Sequence, residues 1–398
     1  MHDLTSWVDI DLDAISKNIK AVKDYIGNVK LLAVVKADAY GHGLVPVARC
    51  AVENGVDYLG VSTLEEGIAL RENGIKIPVL IFNVILPEQA ETVLQYDLTA
   101  TVCSFDVVQA LNEASVKLNR KACIHLKVDT GFGRFGILPE HAVEFFKIID
   151  TSFKNIYIEG VYTHFSSAFS ETITRKQFNI FKSVLKRLEK EGYNIPLKHA
   201  CNSTAALKYP DMHLDMVRIG NLMYGLCPSH PLDIQKPARV FSKVVFIKKL
   251  PAGHNVGYCN RFKTKRPTVV AVIPFGYYDG LELQVSQPCG LWESLKGFIK
   301  QILIGTGITS LDRKVRINGQ YCNIIGKIGM QSCMADVTGL KDIVVGDIVE
   351  ITARKVNLRY NLPRVYHTAG RTFTDLRQEF AEIYEEHEGG KRREISIG

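Results

Sequence analysis

Paired cysteines, long apolar runs and clustered positive charge are all missing from this sequence, and each absence removes a class of protein. The nine cysteines stand at positions 50, 103, 123, 201, 227, 259, 289, 322 and 333, with no CxxC pair. An odd, unpatterned set reads as reduced thiols in a cytoplasm, not as a disulfide framework. No stretch of about eighteen uncharged apolar residues occurs, so no transmembrane helix and no membrane role are expected. The opening MHDLTSWVDIDLDAISKNIK carries acidic residues where a secretory signal would place a basic region and then an apolar run. Lysine and arginine do not cluster with interleaved aromatics, and a formal net charge of +7 is mild for 398 residues. A nucleic-acid partner is therefore not expected.

What is present is the composition of a globular chain, 46% hydrophobic and 23% charged, long enough for one large core or two ordinary ones. Short runs rich in branched apolar residues recur through the first half: LLAVVKA (31–37), YLGVS (58–62), VLIF (79–82), TATV (99–102), CIHLKVDT (123–130), IEGVYTHF (158–165), LKHACN (197–202) and MVRIGNLMYG (216–225). Helix-period segments lie between them. Ile15, Ile19, Val22 and Ile26 form one stripe, and Phe178, Phe181, Val184, Leu185 and Leu188 form another, stopped by Gly192. Eight such runs alternating with helices predict an α/β fold, a (β/α)8 barrel over residues 1–234. A doubly wound open sheet would need a GxGxxG loop after its first strand, where VVKADAYGHG stands instead.

Beyond Pro228 the runs become β-branched, as in ARVFSKVVFIKKL and DIVVGDIVEIT, and Asn318-Gly319 sits between KVRI and QYCNII as a hairpin signal. This predicts a second, all-β domain over 235–370. The remaining residues, 371–398, place Phe373, Leu376, Phe380 and Ile383 at helical spacing, and one appended helix with a frayed end is expected.

Barrel enzymes collect reactive groups at the C-terminal ends of their strands. Lys36 closes the first run, Lys127 and Arg134 flank the end of the fifth, and His164 closes the sixth. Asn202 and Ser203 follow the seventh, with Arg218 and Gly220 on the eighth. An amine emerging from LLAVV is desolvated, so its pKa falls and its neutral form can attack an aldehyde. A lysine at a strand end also snorkels in many proteins. The Ala39-Tyr40-Gly41-His42-Gly43 turn that follows favours the reactive reading, because it allows close backbone approach to a ligand.

VVKADAYGHG resembles the cofactor-lysine signature of the alanine racemase family, and the likeness recurs in order downstream. LKVDTGFGRFG (126–136), YTHFSSA (162–168), HACNSTAAL (199–207) and MVRIGNLMYGL (216–226) resemble its barrel motifs. VGYCNRF (256–262) and PFGYYDG (274–280) resemble those of its β domain. The resemblance implies pyridoxal phosphate (PLP) as cofactor, no metal, a free amino acid as substrate, and a homodimer whose active sites are shared between subunits. It implies that Lys36 carries PLP as a Schiff base and acts as one acid/base, with Tyr258 from the partner subunit as the other. Tyr40, Ser203, Gly220 and Asn221 match phosphate-binding positions, and Asn202 lies in the same cofactor-binding set. Arg218 matches the arginine that faces the pyridine nitrogen, and His164 bridges Arg218 and Tyr258. Arg134 matches the residue holding the substrate carboxylate, Met330 a backbone amide beside it, and Lys127 a lysine carbamylated in some members.

Two departures stand out. The family reads Met-Asp at the pocket rim, whereas Gln331 follows Met330 here. The segment GDIVEITARKVNLRYNLPRVY runs almost directly into the closing strand, so Tyr360 is no clear match for the family's last phosphate-binding tyrosine. These departures leave alanine or a broader amino acid range open, with a related decarboxylase or a non-catalytic PLP carrier as the competing readings. No acidic partner for the pyridine nitrogen is evident, which argues against the decarboxylase. The β domain and Tyr258 argue against the carrier.

Overall fold

The computed structural model describes residues 4–227, 231–260, 262–281, 313–353, 358 and 361–374, and the chain divides into two compact units, 11–237 and 1–10 with 238–398. The first strand, β1 (Ser6–Asp11), belongs to the second unit, not to the barrel that its position in the sequence predicts. Its residues pair antiparallel with partners more than two hundred positions away, Val8 with Val240 and Ile10 with Ala238. Local sequence cannot choose between sheets that distant.

The larger unit is an eight-stranded parallel sheet. Its strands are β2 (Lys30–Val34), β3 (Tyr58–Val61), β4 (Val79–Val84), β5 (Thr99–Val102), β6 (Ala122–Lys127), β7 (Ile156–Tyr162), β8 (Leu197–His199) and β9 (Met216–Ile219). From β2 to β8 each strand pairs with the next in sequence, and β9 pairs with β2. Backbone bonds Asp215 N–H to Lys198 O (3.0 Å) and Arg218 N–H to Cys201 O (3.0 Å) bring β8 and β9 together, so the sheet is a nearly closed barrel. The eight runs of branched apolar residues became these strands because their side chains are buried on both faces.

Between strands, the expected stripes form helices. Ile15, Ile19, Val22 and Ile26 are the buried face of Leu12–Ile26, which Asp11 caps through its side chain. Phe178, Phe181, Val184 and Leu188 are the buried face of Glu171–Lys190, and each such residue contributes roughly 1.5–3 kcal/mol by leaving water.

The second unit is a ten-stranded sheet with β1 near one end. It adds β10 (Ala238–Lys243), β11 (Phe246–Leu250), β12 (Thr268–Ile273), β13 (Lys314–Ile317), β14 (Gln320–Ile325), β15 (Cys333–Asp336), β16 (Ile348–Ile351), β17 (Arg364–Thr368) and β18 (Arg371–Thr374). Its strands pair antiparallel, as β10 does with β16 and β12 with β15. Asn318 (φ 49°) and Gly319 (φ 80°) form the tight turn joining β13 to β14, as their dipeptide predicts. The expected helix from Arg371 is corrected at its start. Arg371–Thr374 is a strand paired with β17, and Phe373 stacks on Tyr366 with ring centroids 5.2 Å apart. Leu376, Phe380 and Ile383 lie outside the described residues, as does Tyr360.

Candidate active site

Lys36 lies two residues past β2, half-buried at the C-terminal rim of the barrel. Burial, and then the charge of Arg134, lowers the pKa of its amine, with Glu66 opposing. The backbone beyond it is unusual. Ala37, Asp38, Ala39 and Tyr40 all hold positive φ, between 51° and 57°, so four L-residues make a left-handed helical turn. Each such residue costs roughly 1–2 kcal/mol against its right-handed alternative. Local bonds hold the turn in place. Glu66 accepts from Ala37 N–H, and Asp38 accepts from Leu44 N–H at 2.9 Å.

That turn directs Tyr40 across the rim. Its ring stacks on buried Tyr224 (4.8 Å between centroids), and Tyr224 in turn donates to Val34 O at 3.0 Å. The Tyr40 hydroxyl lies against Gly220, where an added Cβ would come within 2.7 Å of it. Ser203 Oγ accepts from Gly220 N–H (3.0 Å) and Leu222 N–H (3.4 Å), and Asn202 caps the short helix Ser203–Lys208 through Ala205 N–H. Tyr40, Ser203 and Gly220 therefore meet in one cradle of hydroxyl and backbone donors, with exposed Asn221 beside it in sequence.

Arg218, on β9, is buried to 3% exposure. Its Nη1 donates to His199 Nδ1 at 2.8 Å, and its Nη2 donates to Thr163 O and Ala200 O, both at 2.9 Å. His164 Nδ1 lies 3.3 Å from Nη2. Burial, then the Arg218 charge, pushes the His164 pKa well down. These bonds leave Nε–H and one Nη1 hydrogen of the guanidinium for a ligand. His199 was not singled out in the sequence. The signal for it was a histidine inside an apolar strand run, which reads equally well as a satisfied core residue.

Lys127, at the end of β6, is buried, and Arg134 lies in the exposed loop after it. They share one aromatic ring. Lys127 Nζ is 4.6 Å and the Arg134 guanidinium carbon 5.0 Å from the centroid of Phe135. Burial, then Arg134 and Arg218, lowers the Lys127 pKa to about 8. Asp129 fixes the loop by accepting from Gly131, Phe132 and Gly133 N–H.

The remaining candidates lie in the second unit. Tyr258, 67% exposed, opens the short turn Tyr258–Asn260, with its ring 3.8 Å from the Cβ position of Gly329. Met330 is exposed, and its carbonyl accepts from Tyr278 N–H at 2.9 Å. Gln331 lines a cavity of about 470 Å³ with Ser6, Asp279 and Asn361.

The barrel rim matches the polar ends of PLP in kind. A half-buried amine with a lowered pKa suits its aldehyde, the Tyr40 and Ser203 hydroxyls beside Gly220 suit its phosphate, and a guanidinium with free N–H groups suits its ring nitrogen. Residues 10–228 match the family described as alanine racemase, N-terminal domain, and residues 238–375 match alanine racemase, C-terminal domain. Alanine racemase 1 of Caldanaerobacter subterraneus subsp. tengcongensis is 36% identical over 357 residues, covering 88% of this chain and 86% of its own length. The Methanococcus maripaludis alanine racemase is 37% identical, over 87% of this chain and 88% of its own. Among solved structures, the alanine racemase of Clostridium difficile 630 superposes with a TM-score of 0.82 at 30% identity, covering 93% of this chain and 98% of that one.

Proposed function

The chain belongs to the alanine racemase family, and from that premise we propose that it interconverts L- and D-alanine with pyridoxal phosphate as its cofactor. One observation carries the site. Lys36, its amine pushed toward the neutral form by burial, shares the barrel rim with the Tyr40–Ser203–Gly220 cradle and with Arg218. Among the relatives named above none is a decarboxylase or a carrier, and those readings gain no support.

Bound through Lys36, PLP supplies an electron sink that acidifies the amino acid's Cα–H. Tyr40, Ser203, Gly220 and Asn221 bind its phosphate, with Asn202 setting the helix that carries Ser203. Arg218 would donate to the ring nitrogen while keeping its own proton, which would leave that nitrogen unprotonated. The Lys36 amine moves the proton on one face of Cα, and Tyr258 of the partner subunit moves it on the other. His164, held neutral by burial and the Arg218 charge, would donate from its other ring nitrogen toward that phenol. Arg134 holds the substrate carboxylate with its planar fork, and the Met330 amide assists. Gln331, by the family resemblance a rim residue, would bear on which side chains enter. Lys127, with a pKa of about 8, has enough neutral amine near physiological pH to take up carbon dioxide as a carbamate, which would orient Arg134.

A site shared between subunits would make the working form a homodimer, and the free cysteines among the described residues fit a reducing cytoplasm. Among the described residues no helix is long and apolar enough to cross a membrane. The test is to incubate the protein with L-alanine in heavy water, following optical rotation and α-proton exchange. Borohydride reduction should then leave the cofactor on Lys36. Loss of neither signal, or a label on another lysine, rejects the reading.

A further inference from the structure

Behind Arg218 the barrel interior holds a line of polar groups that the reaction above does not use. His199 Nε2 lies 2.9 Å from His125 Nδ1, and His125 Nε2 lies 3.0 Å from Glu159 Oε2. Glu159 also accepts from the Tyr58 hydroxyl at 2.6 Å and from the Cys123 thiol at 3.3 Å. Both imidazoles are fully buried. The backbone is shaped around them. Strand register shifts where Ile124 pairs with Ile158 but His125 with Gly160, so Glu159 is the extra residue of a β-bulge. A Cβ on Gly160 would strike the His125 ring at 2.7 Å. Bulges re-aim side chains, and this one turns a carboxylate toward the histidine.

Hydrogen-bond chemistry sets the direction of the line. A guanidinium has no acceptor, so His199 must accept at Nδ1 and carry its proton on Nε2. His125 must then accept at Nδ1, which leaves its Nε2–H for the Glu159 carboxylate. Every link donates away from Arg218. Burial lowers the pKa of both histidines, and Glu159 is held at about 2 by the bonds from His125 and Tyr58 against the opposing effect of its burial. Two neutral rings thus separate one cation from one anion. Among the described residues no Asp or Glu pairs with Arg218 directly. A carboxylate seated on it would compete for the N–H groups that face the cofactor, whereas one reached through two rings supports its charge without taking them.

We propose that His199, His125 and Glu159 are positioning residues for the racemisation, holding the Arg218 guanidinium toward the cofactor's ring nitrogen through this one-way chain. The proposal rests on the reading that Arg218 faces that nitrogen. The test begins with apoenzyme carrying ¹⁵N-labelled histidine. Its NMR spectrum should show His199 and His125 as neutral Nε2–H forms that do not titrate between about pH 6 and 9. Glu159→Gln keeps an acceptor and removes the charge, so it should shift the Nε2 resonance of His125 strongly and that of His199 less, with both tautomers kept. In the holoenzyme, His199→Leu should lower kcat about 10- to 100-fold with KM for alanine little changed, the scale of a lost bond to a charged group. His199→Gln, which offers one acceptor and one donor, should recover most of that loss. A proton on Nδ1 of either histidine, titration in that window, or a kcat for His199→Leu within about twofold of wild type overturns the proposal. Should His199→Leu fail to fold, the wild-type and Glu159→Gln spectra decide. Because those spectra need neither cofactor nor turnover, an inactive wild type would refute the racemase reading separately.

Discussion

The Tyr40 hydroxyl stands 2.7 Å from the point where a Cβ on Gly220 would lie. Glycine at 220 therefore makes room for the phenol, and stacking on Tyr224 stops the phenol from swinging aside. Gly220→Ala should displace it and weaken PLP binding to the apoenzyme about 10- to 100-fold, the scale of overpacking by one methyl. Titration of apoenzyme with PLP, followed by absorbance, checks this. An unchanged Kd would mean that Tyr40 takes no part in holding the cofactor.

Lys36 and Tyr258 are read as the two bases on opposite faces of Cα, drawn from different subunits. Tyr258→Phe should cut turnover on the order of 10²–10⁴-fold in both directions while PLP stays bound. Lys36→Ala should leave no covalently held cofactor. Mixed dimers of the two variants contain one site with neither substitution and should regain part of the activity. If mixed dimers form but stay inactive, both residues act within one chain.

Lys127 gives a pH signature whose sign follows from its burial. Its folded pKa is about 8, below its ordinary 10.5, so folding disfavours the charged amine. The resulting penalty is fully present below about pH 8 and fades as pH rises toward 10.5. Lys127→Met should therefore exceed wild type in Tm below pH 8, by roughly 2–4 °C for each kcal/mol, with the gap closing above pH 10. Bicarbonate should narrow the gap at pH 8 if the amine takes up carbon dioxide. A gap that stays constant with pH would show that the amine is not penalised by burial.

Gln331 replaces the acid that the family resemblance places after the rim methionine. Gln331→Asp should shift the kcat/KM ratio toward alanine and away from serine and larger amino acids, by no more than the 1–3 kcal/mol or so of a methylene-sized discrimination. Competition assays with paired amino acids read the ratio. If every ratio stays the same, residue 331 has no part in selectivity.

The barrel was legible because its strands, buried on both faces, must be written almost wholly in branched apolar residues, and because the Lys36 motif recurs with its partners in chain order. SWVDID was not legible as a member of the other sheet, since its partners, Ala238 to Ser242, lie far along the chain. Arg371 to Thr374 was misread because Phe373 fits a helical stripe as well as one face of a hairpin. The line from His199 to Glu159 was hidden for another reason. Histidines in separate apolar runs look alike whether they touch or not, and the bulge that turns Glu159 inward is a matter of register, not composition.

The turn from Ala37 to Tyr40 has a consequence in terms of handedness. Its dihedrals, such as φ 51° and ψ 48° at Ala39, mirror those of an ordinary helix. They are the angles that D-residues adopt without strain. The chain proposed to make D-alanine thus holds two of its own L-alanines in a backbone shape natural to the product's hand. A semisynthetic protein with D-alanine at position 39 should keep the fold and unfold at a higher temperature. In that turn, mirror-image substitution would be the conservative one.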